Sequence, residues 1–296
     1  MTGAETARLD PRLNAYRTDL ADARLEGRVN AARFVAGEPA RVATGTASLR
    51  EAPLDEARQG SELLYGERVT VFERKNGWAW IRNGTDGYVG YLREEDLGPA
   101  EESAPTHRVT ALRSYLFDAP DLKTIPRAVV HFTSLVTVID RHGDWARVSD
   151  GGWLWAMHLA PLHAVGRDPV AVARRFMGAP YAWGGRSTTG LDCSALVQLA
   201  LAACGVDCPR DSDMQEASVG DGVPSLEEAR PGDLLYWPGH VAFLLDGDRI
   251  LHANGHHMAV AEEPRRFPRP QPGQDRRCAD RAAADLTVRR APNPSS

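Results

Sequence analysis

The sequence predicts an α+β chain in which two small all-β barrels precede a mixed domain that carries the chemistry. Three observations point there. A strand-and-turn pattern occurs twice upstream of residue 163. A glycine-rich, aromatic loop then runs into a helical period of apolar residues at Cys193. Two histidine-bearing strands follow that helix.

The repeat sets the upstream half. Val69-Thr70-Val71 … Gly77-Trp78-Ala79-Trp80-Ile81 recurs as Val136-Thr137-Val138 … Asp144-Trp145-Ala146-Arg147-Val148, an offset of 67 (136 − 69 and 145 − 78). Further on, Gly87-Tyr88-Val89 is matched to Gly152-Trp153-Leu154, and Leu97 to Leu162, at an offset of 65 (152 − 87 and 162 − 97). Tyr91 then aligns with Ala156, and the acidic residue Glu56 has no close match in the second copy. Asn76-Gly77, Asp86-Gly87, His142-Gly143 and Asp150-Gly151 break the alternating β-branched and aromatic runs into short strands with tight turns. The expected barrels are 41–99, opened by Val42-Ala43-Thr44, and 106–162, with the Pro-bearing linkers 99–105 and 163–169 after them. Residues 1–40 read as an arm or short helix, from Leu13, Tyr16, Leu20, Ala23 and Leu25 between Pro11 and Pro39.

The third domain is expected over 166–290. Val170, Val172, Ala173, Phe176 and Met177 predict an amphipathic entry helix. Tyr181-Ala182-Trp183-Gly184-Gly185 leads to Leu191-Asp192-Cys193-Ser194, after which Ala195, Leu196, Leu199, Ala200 and Ala203 keep helical spacing. Asp192 stands where an N-cap belongs, so Cys193 opens the helix. The positive end of the macrodipole is expected to favour its thiolate and make it a nucleophile. Arg230-Pro231-Gly232-Asp233-Leu234 and Gly239-His240-Val241-Ala242 predict a hairpin, and Leu251-His252-Ala253 a third strand after the Asp246-Gly247 turn. Neighbouring antiparallel strands would set His240 and His252 side by side, one to take the thiol proton and one to orient it. The competing readings are an inert buried thiol with structural histidines, and a metal site on His252, His256 and His257. The second lacks an acidic ligand or a Cys-x-x-Cys pair, and Asn254-Gly255 breaks the helical spacing it needs, so no metal or cofactor is expected.

These five ordered motifs resemble those of NlpC-type cysteine peptidases, papain-like enzymes that cut bacterial cell-wall peptides. The resemblance spans roughly residues 166–263. It implies Cys193 as nucleophile, His240 as general base and acid, His252 as the orienting third residue, and Tyr181 as a donor to the oxyanion. The upstream barrels resemble bacterial SH3-like domains, and two of them before such a peptidase resemble the γ-D-glutamyl-L-diamino-acid endopeptidases (dipeptidyl peptidase VI). That likeness implies a small murein peptide with a free N-terminal L-Ala as substrate. It carries amine binding to Glu56 and Tyr91, and further substrate contacts to Trp183, Ser194, Asp211 and Ser212. The same resemblance leaves open a wall-binding protein without activity, or an amidase or acyltransferase on the same scaffold.

Composition narrows the partners. Net charge is −5, which argues against nucleic acid or an anionic membrane as partner. The amino terminus has no apolar h-region and no stretch approaches a membrane span, so a cytoplasmic enzyme is expected. Four cysteines, Cys193, Cys204, Cys208 and Cys278, do not make a disulfide framework in a 296-residue chain. The Arg/Pro-rich tail from Pro264 is expected to add little core, with 285–289 as its one candidate strand.

Overall fold

A computed structural model describes residues 9–246, 248–265 and 286–292. Cys278, Gly247 of the expected Asp246-Gly247 turn and most of the Arg/Pro-rich tail lie outside the described residues. The chain forms two compact units, 1–102 and 103–296. The division falls at the first expected linker, whereas the second barrel and the helix-bearing domain form one unit.

In the first unit, the amino-terminal segment is an extended arm rather than a helix. Ala21–Asp22 pairs in parallel with Phe34–Val35 across a short 3₁₀ turn. Its apolar residues meet a sheet instead of a helix partner: Ala15 and Leu20 bury against Phe72 and Trp80 of the barrel. Seven strands follow in the spatial order Gln59–Leu64, Thr46–Arg50, Val89–Arg93, Trp78–Asn83, Arg68–Lys75, Glu38–Val42 and Leu97–Pro99. The barrel opens at Glu38, earlier than Val42, because Glu38 to Arg41 pair with Val71 to Arg68.

The second barrel repeats the central hairpin of the first, although its strands form three small sheets where the first has one sheet of seven. A bulge interrupts the hairpin ladder between Val71 and Glu73 in one copy and between Val138 and Asp140 in the other, at the offset of 67 read from sequence (138 − 71). The third strand corrects the alignment. Trp78 pairs with Arg93, and its counterpart Trp145 pairs with Trp155, an offset of 62 (155 − 93). Gly90-Tyr91-Leu92 therefore answers Gly152-Trp153-Leu154, and the counterpart of Tyr91 is Trp153, not Ala156. Likewise the short 3₁₀ turns Glu94–Asp96 and Ala156–His158 place Leu159, not Leu162, opposite Leu97. The sequence match at an offset of 65 falls three residues from the structural one (65 − 62), because the loops before this strand differ in length.

Close approach explains both glycines. A Cβ on Gly90 would lie 2.7 Å from the Leu49 side chain and 2.8 Å from the Arg50 carbonyl oxygen; one on Gly152 would lie 2.6 Å from Leu116.

In the second unit, this barrel is stitched to the domain behind it. The Phe132 and Phe176 rings meet edge-on at 5.6 Å, and the Arg175 guanidinium lies 5.0 Å from the Phe132 ring centre. Buried Arg108 donates to the carbonyl of Ala164 in the linker and to those of Ala202 and Ala203 at the end of the helix that Cys193 opens. The domain itself is a six-stranded antiparallel sheet in the order Asp221–Val223, Thr287–Arg290, Leu234–Trp237, His240–Leu244, Arg249–Asn254 and Ala259–Pro264. The candidate strand near the carboxyl end is present, inserted as the second member. Helices α1 (Pro169–Arg174), α2 (Cys193–Ala203) and α3 (Ser212–Ser218) complete it, with α2 packed on the His240–Leu244 and Arg249–Asn254 strands. Met177, expected on the apolar face of α1, lies beyond the end of that helix and is exposed.

Gly90→Ala is expected to destabilise the first barrel by about 1–3 kcal/mol, since the new methyl meets backbone as well as side chain. Urea unfolding of the purified chain reads this; an unchanged midpoint would show that the strand crossing is looser than described.

Candidate active site

The loop before Cys193 is built on tight backbone approaches. The Tyr181 N–H donates to the Met258 carbonyl at 2.9 Å, and the Leu191 N–H to that of Pro180 at 3.1 Å. Gly184 adopts φ +73°, and a Cβ on Gly185 would sit 2.3 Å from the Gly190 carbonyl oxygen, so only glycine fits there. Arg186–Ser187 and Gly190–Leu191 close a short hairpin that delivers the chain to α2.

Asp192 then fixes the helix start. Its Oδ1 accepts the Ala195 N–H at 2.9 Å as an N-cap, and its Oδ2 accepts the Gly184 N–H at 2.9 Å. The same carboxylate takes two bonds from Arg210, 2.9 Å to Oδ1 and 2.7 Å to Oδ2. Arg210 is only 1% exposed, so this is a buried bidentate ion pair, which sequence reading did not foresee. Ser194 lies inside this network. Its hydroxyl donates to Asp192 at 3.1 Å and receives Arg210 at 2.9 Å, while the residue is 5% exposed. The Ser194 hydroxyl, expected as a substrate contact, is engaged within the protein on both its donor and acceptor sides.

The Cys193 sulfur receives the backbone N–H groups of Val241 and Ser194. It thus lies against the His240–Val241 peptide. Burial, and then the Asp192 carboxylate, push the thiol up to about 12, outweighing those hydrogen bonds and Arg210. The dipole-stabilised thiolate expected from sequence is not the resting state: desolvation outweighs the helix terminus when the sulfur is buried. Burial, and then His252, hold the His240 imidazole well below its ordinary range. The resting pair is a neutral thiol beside a neutral imidazole.

His240 and His252 do meet. His240 Nε2 and His252 Nδ1 are 2.7 Å apart, and the His240 ring rests on Trp237 with centres 4.9 Å apart. Behind them, His252 Nε2 lies 2.8 Å from Glu263 Oε1 and 3.0 Å from Asn254 Nδ2. Glu263 was not singled out by sequence, although it falls on the His252 face by strand alternation. The Tyr181 phenol is held above its usual range by burial, then by Cys193 and Asp192, so it keeps its proton and donates.

The remaining expected residues are spread. Trp183 is 68% exposed beside the cysteine loop. Asp211 is the N-cap residue of α3 and Ser212 its first residue, both half-buried. Glu56 stands exposed in the loop 51–58 of the first unit. Tyr91, in the same unit, is half-buried, and its hydroxyl accepts Arg17 Nη1 at 3.1 Å. His256 and His257 pack ring to ring at 4.9 Å, and among the described residues no group of three or more His, Cys, Asp or Glu side chains is arranged to hold a metal ion.

Comparison with known proteins fits this geometry. Residues 178–271 match the NlpC/P60 family, and residues 49–97 match the bacterial dipeptidyl-peptidase SH3 domain. The chain carries an NlpC/P60 cysteine-peptidase domain. Similar curated proteins include a dipeptidyl-peptidase 6 of Lysinibacillus sphaericus, 26% identical over 65% of this chain and 79% of that protein. A γ-D-glutamyl-L-lysine dipeptidyl-peptidase of Bacillus subtilis is also 26% identical, over 65% of this chain and 71% of its own length. Over 30% of this chain, the peptidoglycan endopeptidase RipB of Mycobacterium tuberculosis is 39% identical, covering 43% of RipB. Among solved structures, an NlpC/P60 family protein from Bacillus cereus superposes with a TM-score of 0.71 at 21% identity, covering 86% of this chain and 99% of that one. The fold is a papain-like α+β domain with an SH3 domain, as the sequence predicts.

Arg210→Ala strands the buried Asp192 carboxylate of this NlpC/P60 domain without its partner, and is expected to cost about 3–5 kcal/mol. Chemical denaturation measures it, and a loss below about 1 kcal/mol would mean that Asp192 is held by its backbone donors alone.

Proposed function

We propose that this NlpC/P60 peptidase hydrolyses the γ-D-Glu–L-diamino acid bond of cell-wall peptides that bear a free N-terminal L-Ala. The observation that carries the reading is the Cys193 sulfur at the α2 N-terminus, lying against the peptide that bears the His252-paired His240. The names of the dipeptidyl-peptidase relatives support the substrate class.

The chemistry follows from the neutral resting pair. As Sγ attacks the γ-carbonyl carbon, His240 takes the thiol proton, so thiolate forms only when a carbonyl is there to receive it. The Tyr181 phenol and the N-terminal amides of α2 face the charge that develops on oxygen, where a single donor contributes about 10²–10³-fold in rate. Collapse of the tetrahedral intermediate passes the proton from His240 to the departing amine of the diamino acid and leaves a thioester on Cys193. His240 then draws a proton from water, whose oxygen attacks the thioester and releases the dipeptide acid and the free thiol.

Free-amine selectivity is assigned to Glu56 and Tyr91, with Trp183, Asp211 and Ser212 as further contacts. An ammonium facing a carboxylate makes a charge-assisted bond that an acylated terminus cannot make. Tyr91 stands beside Arg17, whose charge is balanced by Asp19 and Glu73, each 2.8 Å away. A substrate with a free amine is a trimmed wall fragment, so we assign the enzyme to cytoplasmic recycling of such fragments.

Cys193→Ala is expected to abolish turnover of L-Ala-γ-D-Glu-diaminopimelate while leaving thermal unfolding intact; wild-type rates from that variant would refute the nucleophile. Separately, N-acetylation of the L-Ala is expected to lower kcat/KM by about 10-fold or more, the scale of one lost charge-assisted hydrogen bond. Equal values for the two peptides would remove the roles of Glu56 and Tyr91 and leave the hydrolytic assignment standing.

A further inference from the structure

We infer that Glu263 is a positioning residue for the reaction: through His252 it sets the tautomer in which His240 is unprotonated on Nδ1 and able to accept the Cys193 proton. The inference rests on the Cys193–His240 reading above and extends it by one residue.

Strand register brings the group into place. Ala261 pairs with His252 across the antiparallel ladder, and Glu263 lies two residues further on the same strand. Side chains two apart share a face, and a long side chain at the diagonal position reaches its neighbour. Glu263 Oε1 accordingly lies 2.8 Å from His252 Nε2, while Glu262, on the other face, pairs with Arg174 and Arg249.

The hydrogen-bond inventory then determines each proton. Glu263 is held below the ordinary carboxylate range, chiefly by its bond to His252, so it is ionised and only accepts. Facing it, His252 Nε2 must carry the proton. A neutral His252 then has its lone pair on Nδ1, 2.7 Å from His240 Nε2, which must therefore donate. That leaves His240 Nδ1 unprotonated, the only ring nitrogen still able to take the thiol proton. Asn254 pulls the other way. Its Oδ1 already accepts the His257 N–H at 2.8 Å, so the group 3.0 Å from His252 Nε2 is an amide nitrogen, a donor. If Asn254 governed Nε2, His252 would be protonated on Nδ1, His240 on its own Nδ1, and the base would be lost. Two tautomeric chains are available, and the ionised carboxylate selects the active one because a charge-assisted bond is the stronger. The other ionisable groups around this chain are Cys193 and Tyr181 at the cleft end, the Asp192–Arg210 ion pair next to the thiol, and His256 and His257 beside Glu263. Of these, His257 Nε2 lies 4.0 Å from Glu263 Oε2.

The test combines ¹⁵N NMR of histidine-labelled enzyme with steady-state kinetics on L-Ala-γ-D-Glu-diaminopimelate. In the wild type, His240 and His252 are both expected as Nε2–H tautomers. Glu263→Ala should convert both to Nδ1–H and lower kcat by about 10²–10⁴-fold, the scale of general-base catalysis, with KM little changed. Glu263→Gln keeps a neutral acceptor, so the tautomers should persist with a smaller fall in kcat. Without the negative charge, however, His240 protonates less readily and the acid limb of kcat/KM should move to lower pH. Unchanged tautomers or unchanged kcat in folded Glu263→Ala would overturn the inference. Should that variant not fold, an unmoved acid limb in Glu263→Gln overturns it instead. Because the NMR readout needs no turnover, it decides the role of Glu263 even if the wild type proves inactive on this substrate.

Discussion

The buried carboxylate of Asp192 is the constraint on which the site depends. A charge taken out of water is tolerated only when all of its lone pairs are engaged. Here the two oxygens receive the helix cap at Ala195, the loop amide of Gly184 and both arms of Arg210. One group therefore ties together the glycine loop, the start of α2 and the segment leading to α3. Arg210 also reaches the Ser194 hydroxyl, and Gln215 of α3 donates to the Ser194 carbonyl at 2.9 Å. The sulfur at position 193 is positioned by this mesh rather than by its own contacts.

That arrangement has an electrostatic consequence. Placing a carboxylate one residue from the thiol, in a dry environment, works against a resting thiolate. The same dryness keeps His240 neutral. Both groups wait in their uncharged forms, and charge appears only as the proton moves between them. The imidazolium so formed lies at the head of a chain that ends in a carboxylate, with the partners already aligned. Charge separation during reaction then requires little rearrangement of the protein, which is the setting in which fixed dipoles contribute most.

The duplicated barrels show how the same pattern was put to different uses. Both copies keep the bulged hairpin and the glycine where the third strand crosses a leucine. The first copy pairs its aromatic Tyr91 with Arg17 of the amino-terminal arm. In the second, the equivalent Trp153 belongs to a hairpin face with Trp145 and Trp155, whose rings meet edge-on at 5.4 Å. Its opposite side is stitched to the peptidase body through Phe132 and Arg108.

Local signals carried far here. Asp192 before an apolar helical period, Gly-His openings after turn residues, and the Trp78/Trp145 repeat each encode their element in a few adjacent residues. So the helix, the hairpins, the two barrels and the apposition of His240 with His252 could be read from the chain alone. The offset of the third barrel strand could not, because loop length is free to vary and only strand register reveals it. Nor could Arg210 or Glu263, whose partners lie 18 and 11 residues away and meet them only through packing and diagonal pairing. The protonation of the thiol was likewise undetermined: sequence places a cysteine at a helix terminus, but burial decides whether dipole or desolvation prevails, and burial is a property of the folded chain.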